Sequence, residues 1–324
     1  MARGNGAYIV HAELAAGLPG YELQGCSPWL ATVPRLPHPG LRRWLAAADI
    51  AHLPADYGAV PLPSTVRRVA TLHNYYLDDE HLRRSTPAQR LYYRQVLRRS
   101  VPAAIRGADK LVVVSRFLAD CVRRDGIAAG TGIEVIYNGI DVDRFRPVPP
   151  PAGDRPLRVL FVGNPTRRKG FHLLQAVAEA LPSHAELAYT GGLRSVRHDA
   201  GGRLVALGHV PYGDMHRVYQ QADLLLFPTF REGFGLCVAE AMACGLPVVS
   251  TRCSAIPELL DEERGGFLCE PGDFVTMTQR VRQLLENPSL RAEQGAWNRN
   301  RAVRDFSRQR MLDDYAGLFS SLSC

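Results

Sequence analysis

Short apolar runs alternate with longer amphipathic stretches along most of the chain, the pattern of βα units around parallel sheets. In the first half, Ile50–His52, Arg68–Leu72 and Lys110–Val114 read as buried strands. Tyr8–Gly17 reads as a helix stopped by Pro19-Gly20, and Pro87–Arg106 as a longer helix. In the second half, Leu157–Val162, Glu186–Thr190, Leu224–Pro228 and Pro247–Thr251 read as strands. Phe171–Leu181 reads as a helix closed by Pro182, Leu236–Cys244 as a helix ending at Gly245, and helices dominate after Asp273. Between the halves, Pro147, Pro149, Pro150 and Pro151 permit neither a helix nor a central strand, so residues 147–155 read as a semi-rigid linker. The pattern predicts an α/β protein of two domains, 1–146 and 156–306, with a last helix over 307–324 that is free to cross back to the first domain. A ligand is then expected between the domains, at the carboxyl ends of strands.

Composition narrows the class. With 324 residues, 46% hydrophobic and 22% charged, the chain is neither disordered, collagenous nor a coiled coil. No apolar run reaches the roughly 18 residues of a membrane span, and the opening residues lack the apolar core of a secretory signal. The 7 cysteines are scattered with no Cys-x-x-Cys pair, which speaks against a zinc site or a disulfide framework and for a reducing cytoplasm. The net charge of +7 is uneven: the first 150 residues hold 19 Lys and Arg against 13 Asp and Glu. Such a face attracts anionic membranes, nucleic acid or phosphorylated substrates, and no motif supports nucleic acid.

The chemistry concentrates in Glu232-Gly233-Phe234-Gly235-Leu236 and the following Cys237–Pro247. A strand ends in a glycine turn that opens a helix. Gly233 and Gly235 allow backbone amides to approach a ligand, and the helix N-terminus favours an anion. Glu232 and Glu240 flank that site, placed to accept hydrogen bonds from sugar hydroxyls. A helix cap with a solvated glutamate is the blander reading of the same residues. A second loop, Val162-Gly163-Asn164-Pro165-Thr166-Arg167-Arg168-Lys169-Gly170, also leaves a strand and enters a helix. Its Arg168 and Lys169 suit a diphosphate leaving group, with a solvated basic turn as the alternative.

Together these stretches resemble the retaining glycosyltransferases of family 4, whose GT-B fold sets two Rossmann-like domains facing a deep cleft. The Glu-x7-Glu signature is met by Glu232 and Glu240, and the Gly-x5-Lys-Gly loop by Gly163, Lys169 and Gly170. Asn164 stands where many members carry arginine, which puts the weight on Arg168 and Lys169. Tyr137–Pro147 is similar to the family's hinge at the end of the first domain. The resemblance implies a nucleotide-diphosphate sugar as co-substrate, held by Gly163, Arg168, Lys169, Gly233, Phe234, Gly235, Leu236 and Glu240. Glu240 would take the ribose hydroxyls, Glu232 the transferred sugar, and His73, at the end of a strand, would lie near that sugar as a second catalytic residue. It also implies a glycan or lipid-linked acceptor, retention at the anomeric carbon, and no metal or other cofactor.

The first domain carries weaker signals. His52 and the loop Gly4-Asn5-Gly6 are acceptor-side candidates, and Ser115 reads as a helix cap. Arg90, Arg94 and Arg98 recur every fourth residue on one predicted helix face, a solvated face or a peripheral contact with the inner face of an anionic membrane. A first domain of this kind normally opens with an apolar strand. Met1–Gly4 leaves no room for one, so the sequence predicts a natural chain that begins upstream. A donor-binding subunit without turnover, and a nucleotide-sugar epimerase of the same fold, are the alternative functions.

Overall fold

The computed structural model describes residues 6–25, 39–57, 61–128, 130–149, 155–191 and 203–323. Gly4 and Asn5, and most of the proline linker, lie outside the described residues. The chain divides into two compact units, one comprising Met1–Gly139 with Arg308–Cys324, the other Ile140–Ser307.

In the first unit four strands, β1 (Ile50–Pro54), β2 (Arg67–Leu72), β3 (Lys110–Val113) and β4 (Gly132–Val135), form a parallel sheet in the order β1-β2-β3-β4. Leu111–Val114 are wholly buried, as expected of a strand covered on both faces. The helix Gly6–Gly17 therefore begins at Gly6, an exposed helical residue rather than part of a loop. The last helix, Arg308–Leu322, packs in this unit: Met311, Leu312, Tyr315 and Leu318 form its buried stripe, and Arg308 pairs with Glu13 at 3.1 Å.

The long helix expected over Pro87–Arg106 is interrupted. An α-helix Pro87–Tyr92, started by a Thr86/Gln89 capping box, passes into a π turn over Tyr93–Leu97 and resumes as Arg98–Arg106. The N–H of Arg98 reaches back to the carbonyl of Tyr93, five residues away, so residues four apart no longer superpose along this stretch. The single Arg90/Arg94/Arg98 stripe is thereby broken in phase, although Arg94 and Arg98 are both exposed.

The second unit holds six parallel strands: β5 (Leu157–Phe161), β6 (Ala185–Gly191), β7 (Leu204–His209), β8 (Leu224–Phe227), β9 (Val248–Thr251) and β10 (Gly266–Cys269). Their spatial order is β10-β9-β8-β5-β6-β7. The chain builds outward from β5 in one direction, then returns to β8 and builds outward in the other. Adjacent strands β5 and β8 thus mark a topological switch point, where the loops leaving the carboxyl ends part and open a crevice. Every residue of β8 and β9 is buried. The helix expected over Phe171–Leu181 starts as a 3-10 turn, Phe171–Leu173, and its α-helical part is Leu174–Glu179.

Candidate active site

Both signature loops leave the switch point: residues 162–170 follow β5 and residues 228–235 follow β8. They are laced together by backbone, the N–H of Phe230 donating to the carbonyl of Arg168 at 2.8 Å. Gly170 makes this possible. Its φ is +75°, and a Cβ there would stand 2.0 Å from the carbonyl oxygen of Pro228, so no other residue fits. The N–H of Gly163 donates to Thr190 Oγ1 at 3.1 Å, tying the first loop to the end of β6.

The second loop turns into the helix Leu236–Ala243 through Gly235, whose φ of +107° a side chain would resist. Leu236 is the first helical residue; the Gly235 carbonyl takes the Val238 N–H at 2.9 Å, which leaves the Leu236 and Cys237 amides without an acceptor within the helix. Residues Cys237–Ala243 are all buried. The far end of this helix is held by Arg299, which donates to the carbonyls of Ala243 at 3.0 Å and Val142 at 2.8 Å. Phe234 is a core residue, its ring meeting Phe306 edge-on, and Gly233 is buried in the turn between the glutamate and the helix.

Three charged side chains meet at the mouth of these loops. Arg168 donates to Glu232 Oε1 at 3.0 Å and to the carbonyl of Arg231 at 2.5 Å. Lys169 Nζ stands 3.9 Å from the same carboxylate and lies over the Phe227 ring. Burial pushes the Glu232 carboxyl up, but Lys169, then Arg168, and hydrogen bonds from Arg168 and Thr229 outweigh it and hold the pKa below the ordinary value. Glu232 is therefore a fixed carboxylate. Its N–H donates to Ser254 Oγ at 2.9 Å, and Ser254 itself adopts a left-handed φ of 47°.

Glu240, on the second turn of the helix, is only 5% exposed. Tyr219 donates to its Oε2 at 2.6 Å. Burial raises the Glu240 pKa to about 7, against the opposing pull of the Tyr219 hydrogen bond, Lys169 and Arg144. The two signature glutamates are thus in opposite states: one locked ionised by two cations, the other balanced between acid and carboxylate near neutrality. Tyr219, Thr229 and Ser254 were not foreseen. Thr229 and Ser254 stand close to motif residues, whereas nothing around Tyr219 in the sequence marks it.

The described histidine candidates belong to the first unit. His73 follows the last residue of β2, and His52 lies on β1. Among the described residues, no group of His, Cys, Asp or Glu is arranged to hold a metal ion. Asp141-Val142-Asp143 is an Asp-x-Asp tripeptide of the sort that can bind a cation, but Asp141 Oδ1 accepts from the N–H groups of Asp143 and Arg144 in a turn. Also among the described residues, no helix is long and apolar enough to cross a membrane.

Comparison with known proteins identifies the family and the fold. Residues 10–144 match the family model described as Glycosyltransferase Family 4, and residues 156–287 the model described as Glycosyl transferases group 1. A D-inositol 3-phosphate glycosyltransferase of Corynebacterium jeikeium is 29% identical over 309 residues, covering 86% of this chain and 71% of the relative. The O-antigen chain mannosyltransferase B of Escherichia coli is 30% identical over 145 residues, 41% of this chain and 38% of that protein. Among solved structures, the HepE protein of Anabaena in complex with UDP and glucose superposes with a TM-score of 0.77 at 19% identity, over 99% of this chain and 97% of that one. Sucrose-phosphate synthase from Thermosynechococcus elongatus gives 0.74 at 20%, over 98% and 92%. The two parallel sheets, with both loops at the switch point of the second, are those of a GT-B enzyme, and the chain belongs to the group 1, family 4 glycosyltransferases.

Proposed function

We propose that the chain moves a sugar from a nucleotide-diphosphate sugar to a phosphorylated, lipid-linked or glycan acceptor, with retention at the anomeric carbon and without a metal. The observation that carries this reading is the cluster of Arg168, Lys169 and Glu232 at the β5/β8 switch point, beside the open N-terminus of a buried helix. Two cations against one fixed carboxylate leave net positive charge where a departing diphosphate gains negative charge, and the helix amides add to it. Glu232, already ionised, accepts hydrogen bonds from hydroxyls of the transferred sugar. Glu240, desolvated and held by Tyr219, accepts from the ribose. The similarity to a structure solved with UDP and glucose supports a nucleotide donor. The name of the Corynebacterium relative supports an acceptor carrying phosphate. The exposed Arg94 and Arg98 offer charge to such an acceptor or to an anionic membrane.

The test is a panel of nucleotide-diphosphate sugars incubated with the purified chain, reading release of nucleoside diphosphate. Release from at least one donor above its spontaneous rate, lost on Glu232→Ala, is expected. No release with any donor, even with phosphorylated acceptors added, contradicts the reading.

A further inference from the structure

The first unit holds an uninterrupted chain of buried and half-buried polar side chains running from the last helix to His73. Tyr315 Oη lies 3.4 Å from Thr71 Oγ1. Thr71 Oγ1 lies 2.5 Å from His52 Nε2, and His52 Nδ1 lies 2.9 Å from Tyr21 Oη. Tyr21 Oη lies 2.6 Å from His11 Nδ1, and His11 Nε2 lies 3.3 Å from His73 Nε2. Five segments contribute: the helix Gly6–Gly17, the turn after it, β1, the end of β2 and the last helix. Phe319 packs its ring against Tyr21, His52 and Tyr315, closing the chain on its apolar side.

Such a chain of neutral groups has only two consistent directions, because each hydroxyl carries one proton and each neutral imidazole one. The buried Tyr315 selects between them. Thr71 Oγ1 is its one hydrogen-bond partner among the described residues, so its proton is satisfied only by donating there. Thr71 then donates to His52 Nε2, which leaves the His52 proton on Nδ1, donated to Tyr21. Tyr21 donates to His11 Nδ1, which leaves the His11 proton on Nε2, donated to His73 Nε2. The His73 proton is thereby forced onto Nδ1. The reverse direction would leave the Tyr315 proton without an acceptor among the described residues.

We infer that His73 is held as the neutral Nδ1–H tautomer and presents a hydrogen-bond donor to an oxygen of the ligand, with Tyr315, Thr71, His52, Tyr21 and His11 acting as positioning residues. His73 is then not a base: its other nitrogen accepts from His11 and has no lone pair left for a substrate proton. Burial supports neutrality at all three rings, joined at His52 by charge on His73 and at His11 by charge on His52 and His73. It lowers His52 to about 3 and His73 to about 4, and holds His11 well below its ordinary value. Among the described residues no carboxylate enters the chain; on the elements that build it, Glu13 pairs with Arg308 and Asp314 with Arg310. The placement of a ligand against His73 rests on the glycosyltransferase reading above, whereas the tautomer does not.

The experiment reads the tautomer directly, by two-bond proton–nitrogen correlation of the His73 ring in the full chain at neutral pH without donor. Nδ1–H is expected, with a mixed or reversed tautomer in Tyr315→Phe and in Tyr21→Phe, each of which removes one hydroxyl and nothing else. Nε2–H or a charged ring in the unmodified protein, or no change in either variant, overturns the inference. In turnover, His73→Asn, whose amide nitrogen sits near the Nδ1 position, should exceed His73→Gln by about tenfold, the worth of one hydrogen bond in a site. The opposite order overturns the donor role. Absence of any turnover would instead count against the enzymatic reading and leave the tautomer result standing.

Discussion

Replacing Glu240 by glutamine should make the ligand-free protein more stable and a weaker binder at once. The glutamine keeps the volume and can still accept from Tyr219, but it never ionises. In the native protein burial carries the Glu240 pKa from the ordinary 4.5 to about 7. Between those two values the unfolded chain releases a proton that the folded chain retains, so stability is full below pH 4.5 and falls until about pH 7. The loss amounts to about 3 kcal/mol above pH 7. Denaturant unfolding of both proteins across pH 4.5–8.5 should show near-equal stability at the acid end and an advantage to Glu240→Gln that grows with pH toward about 3 kcal/mol. Donor binding should move the other way, weakening roughly tenfold to a hundredfold at pH 8 because a charged hydrogen bond to the ribose is lost. A pH-independent difference in stability would refute the claim that Glu240 is a desolvated, ionisable carboxyl. Unchanged donor affinity would refute its role in binding.

Three further outcomes follow from the same geometry. Tyr219→Phe removes the hydrogen bond that opposes burial at Glu240, so the midpoint of the pH-dependent stability loss should shift upward; a downward shift would contradict the assignment. Sedimentation with anionic liposomes should bring down the protein and fade with added salt, since the attraction is screened over about 10 Å at 0.1 M; equal sedimentation with neutral and anionic vesicles returns Arg94 and Arg98 to a solvated face. The proton coupling constant of the new linkage should report the anomeric configuration of the donor, in reactions that survive a chelator; an inverted product, or activity restored only by magnesium, would defeat the retaining, metal-free reading.

Much of the second unit is legible in the sequence because its strands are buried on both faces and read as unbroken apolar runs, as Leu224–Phe227 does. β7 is missed because it lies at the sheet edge, half-exposed, with a register shift against β6 between Tyr189 and Thr190. β4 is an edge strand too, four residues long and mostly unburied. The π turn at Tyr93–Leu97 is invisible to a pattern that assumes one helical period. At the site, the paired glutamates and the lysine loop stand out because glycines mark close backbone approach at fixed spacing. Tyr219 does not, because it reaches Glu240 from another helix, 21 residues away. His11 is legible only as an apolar-face helix residue; its link to His73, 62 positions on, exists only once the first helix has packed.

The most direct test of the account is calorimetric titration of the full chain with uridine, guanosine and adenosine diphosphates. The same titrations are run on Lys169→Ala and on Lys110→Ala. Lys110 belongs to the first unit and is a half-exposed lysine paired at 3.1 Å with Glu134 of the same unit, so its removal should be near-neutral. At least one diphosphate should bind the unmodified protein, bind Lys110→Ala equally, and bind Lys169→Ala about tenfold to a hundredfold more weakly, the loss of one charged contact to phosphate. Binding of none of the three, or equal binding by Lys169→Ala, would contradict the claim that the β5/β8 switch point holds a nucleotide diphosphate.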